Sequence, residues 1–127
     1  MVANYMAQDS FDPPIVIKIY KTYQLFTPLL VNFPKPQRYT MGQTLDQSLL
    51  AMLEYIFEAN AMPLPLRESL LLRAMAKCEL TKLLIRLACE SDILDNTQYF
   101  QLMSNLQEVS KMLGGWIKYI RNLPMKR

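Results

Sequence analysis

The chain contains no histidine, which removes the side chain most used as a general base near neutral pH and as a metal ligand. Its 127 residues include three glycines, and no G-x-x-x-x-G-K-[ST], G-x-G-x-x-G or G-x-S-x-G pattern occurs. Phosphate-cradling loops and nucleophile elbows therefore have no candidate. Cysteine is also scarce: Cys78 and Cys89 stand eleven residues apart in one predicted helix. At about 1.5 Å per residue they are roughly 16 Å apart, too far to share a disulfide or a metal. Carboxylate pairs such as Glu54 and Glu58 read as a solvated helix face. No catalytic residue, metal ligand or cofactor is expected, and no small-molecule substrate.

Long uncharged apolar runs are missing too. None reaches the roughly 18 residues of a membrane span, so no membrane association is expected. The opening stretch carries Asp9, Asp12 and two prolines instead of the basic and apolar regions of a signal peptide. Free thiols point to a reducing compartment, and the expectation is a soluble cytoplasmic protein.

Hydrophobic residues make up 51% of the chain and charged residues 20%, which suits one globular domain. Seven of the eight prolines fall in the tail or between apolar segments, where they punctuate long helices. Asp12-Pro13-Pro14 reads as a helix entry, and helix 1 is predicted from there to Asn32 with a bend near Thr27 caused by Pro28. Pro34-Lys35-Pro36 forms the first loop. Helix 2 runs to about Asn60 with Met41, Leu45, Leu49, Met52 and Ile56 along one face. Met62-Pro63-Leu64-Pro65 is the second loop, and helix 3 spans Arg67 to Glu90. Helix 4 runs from Asp95 or Asn96 to about Asn122, with a stripe through Leu102, Leu106, Leu113, Trp116 and Ile120. Trp116 is assigned to the core, with a cost of about 3–5 kcal/mol on truncation. Short connections make sequential helices antiparallel neighbours, so the fold class is all-α: an antiparallel up-down-up-down four-helix bundle. A tail at 1–14 precedes a bundle at 15–122, and a basic tail at 123–127 follows.

Helix 3 is apolar nearly all round. Leu80, Leu84 and Ala88 lie on one side, Leu71, Cys78, Ile85 and Cys89 on another, and Leu72, Leu83 and Leu87 on a third. A bundle helix usually shows one apolar arc of about 100° or a little more. Either helix 3 is central and tightly covered in a monomer, or it flanks a subunit interface. We favour the second reading, a homo-oligomer.

The formal net charge is only +3, so placement matters more than amount. After Glu108 the chain carries Lys111, Lys118, Arg121, Lys126 and Arg127 and no acid. Lys18 and Lys21 add charge to helix 1, which neighbours helix 4 in a closed bundle. Cations at a helix C-terminus are favoured by the macrodipole, by about 0.3–1 kcal/mol each. The same residues would also make a surface for phosphate backbones or an acidic partner. Lys82 and Arg86 point the same way from helix 3, where Glu79 and Glu90 are placed to form a surface salt-bridge ladder with them.

The run Glu108-Val109-Ser110-Lys111-Met112-Leu113-Gly114-Gly115-Trp116-Ile117 resembles the accessory variability determinant proteins of diversity-generating retroelements. The family pattern there is similar to Glu-Val-Gly-Arg-Ile-Leu-Gly-Ser-Trp-Ile, with Ser110 standing where it has glycine. That family belongs to a wider group of four-helix bundles that includes ribosomal-RNA intervening-sequence proteins. The resemblance extends from Ile15 to Asn122 and includes Pro28, Pro34 and the basic pair Lys82 and Arg86. It implies a non-catalytic homopentameric subunit that binds the reverse transcriptase and its template-repeat RNA or RNA/DNA during mutagenic cDNA synthesis and retrohoming. On that basis Lys82 and Arg86 are expected to contact the reverse transcriptase. Lys18, Lys21, Lys111, Lys118, Arg121, Lys126 and Arg127 are expected to contact nucleic acid. The rival is a stand-alone oligomeric bundle of the intervening-sequence type with a structural role.

Overall fold

Three of the helices start at a proline whose ψ, between 143° and 151°, is set for an extended entry: Pro13, Pro34 and Pro63. A second proline follows each within the first two helical positions, where its missing N–H is no loss. The computed structural model describes residues 13–124 of the chain. Asp12, expected to cap the first helix, lies outside them, as do Lys126 and Arg127.

Helix α1 covers Pro14–Phe26 and tightens at Thr27 into a 3-10 segment, Thr27–Asn32. The change occurs one residue before Pro28, whose ring cannot donate the next α-helical bond. The expected bend is thus a change of helix type. Helix α2 opens as one turn at Lys35–Gln37, passes through a π-helical stretch, Arg38–Gly42, and continues as Gln43–Ala61. Leucine periodicity did not announce the π stretch. At its end Gly42 is buried, and a Cβ there would stand 2.9 Å from Leu30 Cδ2 and 3.4 Å from Phe33 Cδ2. The 3-10 corner therefore packs directly on the α2 backbone. Arg38 ties the corner down, donating to the carbonyls of Val31 at 3.3 Å and Phe33 at 3.2 Å.

Helix α3 spans Leu64–Glu90, three residues longer at its start than the sequence suggested, because Pro65 is accommodated in the first turn. Its end is a Schellman closure: Ile93 N–H reaches Ala88 O at 2.8 Å and Asp92 N–H reaches Cys89 O at 3.0 Å. Asp92 takes the left-handed position with φ 62°, a role usually given to glycine. Helix α4, Asn96–Arg121, starts with a capping box. Asp95 Oδ1 accepts from Gln98 N–H at 2.7 Å, and Gln98 Oε1 accepts from Asp95 N–H at 2.9 Å.

Around the bundle, α1 packs on α2 and α4, and α3 packs on α2 and α4. Sequential helices are neighbours and α1 lies diagonal to α3. The core runs the length of the bundle through Ile19, Phe26, Leu45, Leu49, Met52, Ile56, Leu71, Ile85, Leu106 and Leu113. Phe26 and Phe33 meet edge to face with ring centroids 6.3 Å apart. Tyr23 Oη donates to Asp46 Oδ1 at 2.7 Å, linking α1 to α2.

Trp116 requires a correction. It is half-buried at the rim of the core, and the α4 stripe closes through Leu113 and Ile117 instead. One helical position separates Trp116 from Ile117, a rotation of about 100°. The full truncation cost of a core aromatic therefore does not apply to it. Leu106 and Leu113 carry that load, and replacement of Leu106 by alanine is expected to cost about 2–5 kcal/mol in denaturant unfolding. A Cβ added at Gly114 or Gly115 meets nothing within 4 Å. Gly115→Ala should therefore raise stability by about 1 kcal/mol in the same assay, through helix propensity alone.

Candidate partner-binding surfaces

Helix α3 carries the two sides of its polar edge to different fates. Lys82 Nζ lies 2.8 Å from Glu79 Oε2 and donates to Ser110 Oγ on α4 at 3.2 Å. Ser110 Oγ in turn lies 3.1 Å from Glu79 Oε2 and 3.5 Å from Met75 Sδ. Ser110, at the position where the retroelement pattern has glycine, thus closes a three-membered polar link between α3 and α4. The Lys82 ammonium bonded to Glu79 holds that carboxyl below its ordinary range, and the Ser110 hydroxyl adds to the effect against the opposing pull of burial. Beneath this link Cys78 is buried, with Sγ 3.5 Å from Leu106 O, and burial pushes its thiol up. Arg86, one turn beyond Lys82, is exposed and belongs to no ion pair among the described residues. Of the salt-bridge ladder suggested by spacing, the Glu79–Lys82 rung forms.

The expected nucleic-acid residues divide in the same way. Lys18 Nζ is 2.6 Å from Glu108 Oε2, an ion pair across the α1–α4 seam. Arg121 donates from Nε to Glu68 Oε2 at 3.0 Å, and its second guanidinium nitrogen lies 3.0 Å from the same oxygen. That contact draws Arg121 toward α3. Lys111 and Lys118, seven residues apart, are both exposed on the outer side of α4 and are in no ion pair among the described residues. Gly114 and Gly115 lie between them, so the helix surface there is flat. Lys21 is exposed on the outer side of α1, apart from this pair. Pairing partners on other helices, which decide which cations are free, were not visible in local spacing.

Apolar surface completes the picture. Leu72, Leu83 and Leu87 stand exposed on α3, the third side of a helix whose other arcs are covered by α2 and α4. A shallow groove near the start of α4 is lined by Leu25, Phe100, Gln101, Ser104 and Asn105, none of them titratable. No cluster of three or more metal-ligating side chains occurs among the described residues. None of the described helices is long and apolar enough to cross a membrane.

These features define an all-helical bundle with a cationic edge and an unpartnered apolar helix side. A model of the bAvd-like family matches residues 15–120, and the chain belongs to that family, the accessory variability determinant type of diversity-generating retroelement protein. The fold is shared with the 1.70 Å crystal structure of a protein of unknown function from the S23 ribosomal protein family of Bacteroides thetaiotaomicron. The TM-score is 0.74 at 18% identity, covering 82% of this chain and 98% of that one. No curated protein matches the chain.

The depressed Glu79 carboxyl gives a testable linkage. A carboxyl with a lowered folded pKa contributes stability that is fully present above its unfolded value of about 4.3 and is lost as pH falls through the folded value. Followed by NMR, the Glu79 carboxyl should titrate below an ordinary glutamate, and Lys82→Met should return it upward. An unchanged midpoint in that variant would mean the ion pair does not form in solution.

Proposed function

We propose that this protein is a non-catalytic, homo-oligomeric accessory subunit of a diversity-generating retroelement that binds the reverse transcriptase and template RNA. The observation that carries the reading is the cationic edge within a bAvd-like chain: Arg86 on α3 and Lys111 and Lys118 on α4, none of them in an ion pair among the described residues. Lys82 and Arg86 serve as the contact to the reverse transcriptase, Arg86 directly and Lys82 after exchanging Glu79 for an acidic group on the enzyme. Lys111 and Lys118 lie against the phosphate backbone across a flat Gly114–Gly115 floor. Lys18 and Arg121, already paired, are secondary contacts, with Lys21 and the terminal Lys126 and Arg127 extending the field. Catalysis resides in the reverse transcriptase. Family resemblance supports a ring of five copies, in which each cation is repeated around the assembly and a modest charge per chain becomes a strong field.

A second reading is a stand-alone oligomeric bundle of the intervening-sequence type with a structural role; the S23-type neighbour shares the fold. Gene neighbourhood separates the two. A reverse-transcriptase gene and a near-duplicate repeat pair within a few genes fit the accessory role, and their absence fits the stand-alone bundle.

At the bench, Lys82→Glu with Arg86→Glu should abolish copurification with the reverse transcriptase while thermal melt and oligomeric mass stay nearly constant. Normal copurification of the double variant rejects the assignment. RNA affinity should fall steeply with salt, and Lys111→Ala with Lys118→Ala should lower the slope by about two, one per lost phosphate contact. A flat salt response assigns those lysines to the helix C-terminus instead.

A further inference from the structure

The shallow groove at the start of α4 takes no part in the function proposed above, yet it lies on the seam that the Lys18–Glu108 pair marks. Leu25 stands seven residues beyond Lys18 on α1, and Gln101 seven before Glu108 on α4, so each shares a helix face with its half of that pair. The groove measures about 560 Å³. Phe100 forms one wall and is 67% exposed, and Leu25 opposite it is 40% exposed. The Tyr99 ring, half-buried against the core, meets Phe100 at 67° with centroids 5.7 Å apart, which restricts how the Phe100 ring turns. Gln101, Ser104 and Asn105 line the rest with two carboxamides and a hydroxyl, groups that both donate and accept.

An open aromatic face beside neutral donors and acceptors suits a planar ring whose edge carries donors and acceptors of its own. A nucleobase is such a ring. A free small molecule fits less well, because small-ligand sites enclose most of their ligand and this groove covers one side. A base held by its own strand needs no enclosure. The surroundings suit that strand. Ser104, Lys111 and Lys118 recur every seven residues along the outer side of α4, each about 10.5 Å from the last, and the two lysines are in no ion pair among the described residues. Lys21 is exposed on α1, one turn before Leu25. Glu108 is the only acid within Asn96–Arg121 and Lys18 neutralises it, while Pro14–Phe26 contains no acid. A polyanion therefore meets no unpaired carboxylate on either helix that forms the groove.

We propose that this groove takes one base of a single-stranded RNA, stacked on the Phe100 ring with its edge toward Gln101 and Asn105, while phosphates of the same strand lie on Lys111 and Lys118. The proposal rests on the RNA-binding reading above and assigns that surface a strand state. A duplex keeps its bases stacked inside and offers the groove none. Stacking on an aromatic ring accepts every base, so the groove selects single strands over duplexes and not one sequence over another.

Fluorescence anisotropy on the full chain tests the site with three probes: a single-stranded RNA oligonucleotide, the same RNA annealed to its complement, and a ribose-phosphate strand of equal length without bases. Phe100→Ala should weaken binding of the single strand about tenfold, the scale of one stacked base. The slope of its affinity against salt should stay unchanged, because no phosphate contact is lost. Phe100→Trp should keep wild-type affinity, and neither the duplex nor the baseless strand should respond to Phe100→Ala. Wild-type affinity of Phe100→Ala for the single strand, or an equal loss with the baseless strand, overturns the inference and leaves RNA binding by the lysines standing. Wild-type protein that binds none of the probes overturns the RNA reading and this inference with it. Thermal melts check folding, and Gln101→Ala with Asn105→Ala repeats the measurement should Phe100→Ala unfold.

Discussion

A helix in a four-helix bundle has two neighbours, and together they cover a limited arc of its circumference. Helix α3 presents apolar side chains over far more than that arc. Leu71, Ala74, Cys78 and Ile85 fill the interior, and Leu72, Leu83 and Leu87 remain outside. The excess determines much else about the molecule. The polar stripe of α3 is narrow, so the few charges it carries, Glu68, Glu79, Lys82 and Arg86, must serve both to tie α3 to α4 and to meet other molecules.

That shared duty explains the arrangement of the cationic edge. Cross-helix ion pairs consume Lys18 and Arg121, and Lys82 is consumed by Glu79 on its own helix and by a hydrogen bond to Ser110 across the α3–α4 seam. Exposed pairs of this kind contribute only tenths of a kcal/mol to about 1 kcal/mol, so their larger consequence is positional. Among the described residues they leave Arg86 on α3 and Lys111 and Lys118 on α4 outside any ion pair. A chain with a net charge of +3 can then present a locally basic surface.

The other end of the bundle depends on a close backbone approach. Gly42 lets Leu30 and Phe33 press on α2, and the Arg38 guanidinium gathers the carbonyls that the 3-10 segment leaves at Val31 and Phe33. Pro28 starts that segment. One proline, one glycine and one arginine from separate stretches of the chain thereby turn α1 into α2. The π-helical stretch, Arg38–Gly42, sits where this packing meets the regular part of α2.

Periodicity and punctuation by themselves determined the four helices, their order, the Pro28 disturbance, an α4 start at Asp95 or Asn96 and the excess apolar surface of α3. Each of those is written in neighbours a few residues apart, where rotation per residue and cap chemistry are fixed by local geometry. Family resemblance, carried by the α4 motif, was legible at the same level. Tertiary structure alone decided that Trp116 stands at the rim while Ile117 closes the core, since both fit an apolar stripe and only the direction of α1 and α3 distinguishes them. It also decided which cations are free. Lys18 finds Glu108 across 90 residues of sequence and Arg121 finds Glu68 across 53, contacts that no spacing rule contains because they exist only once the helices are side by side.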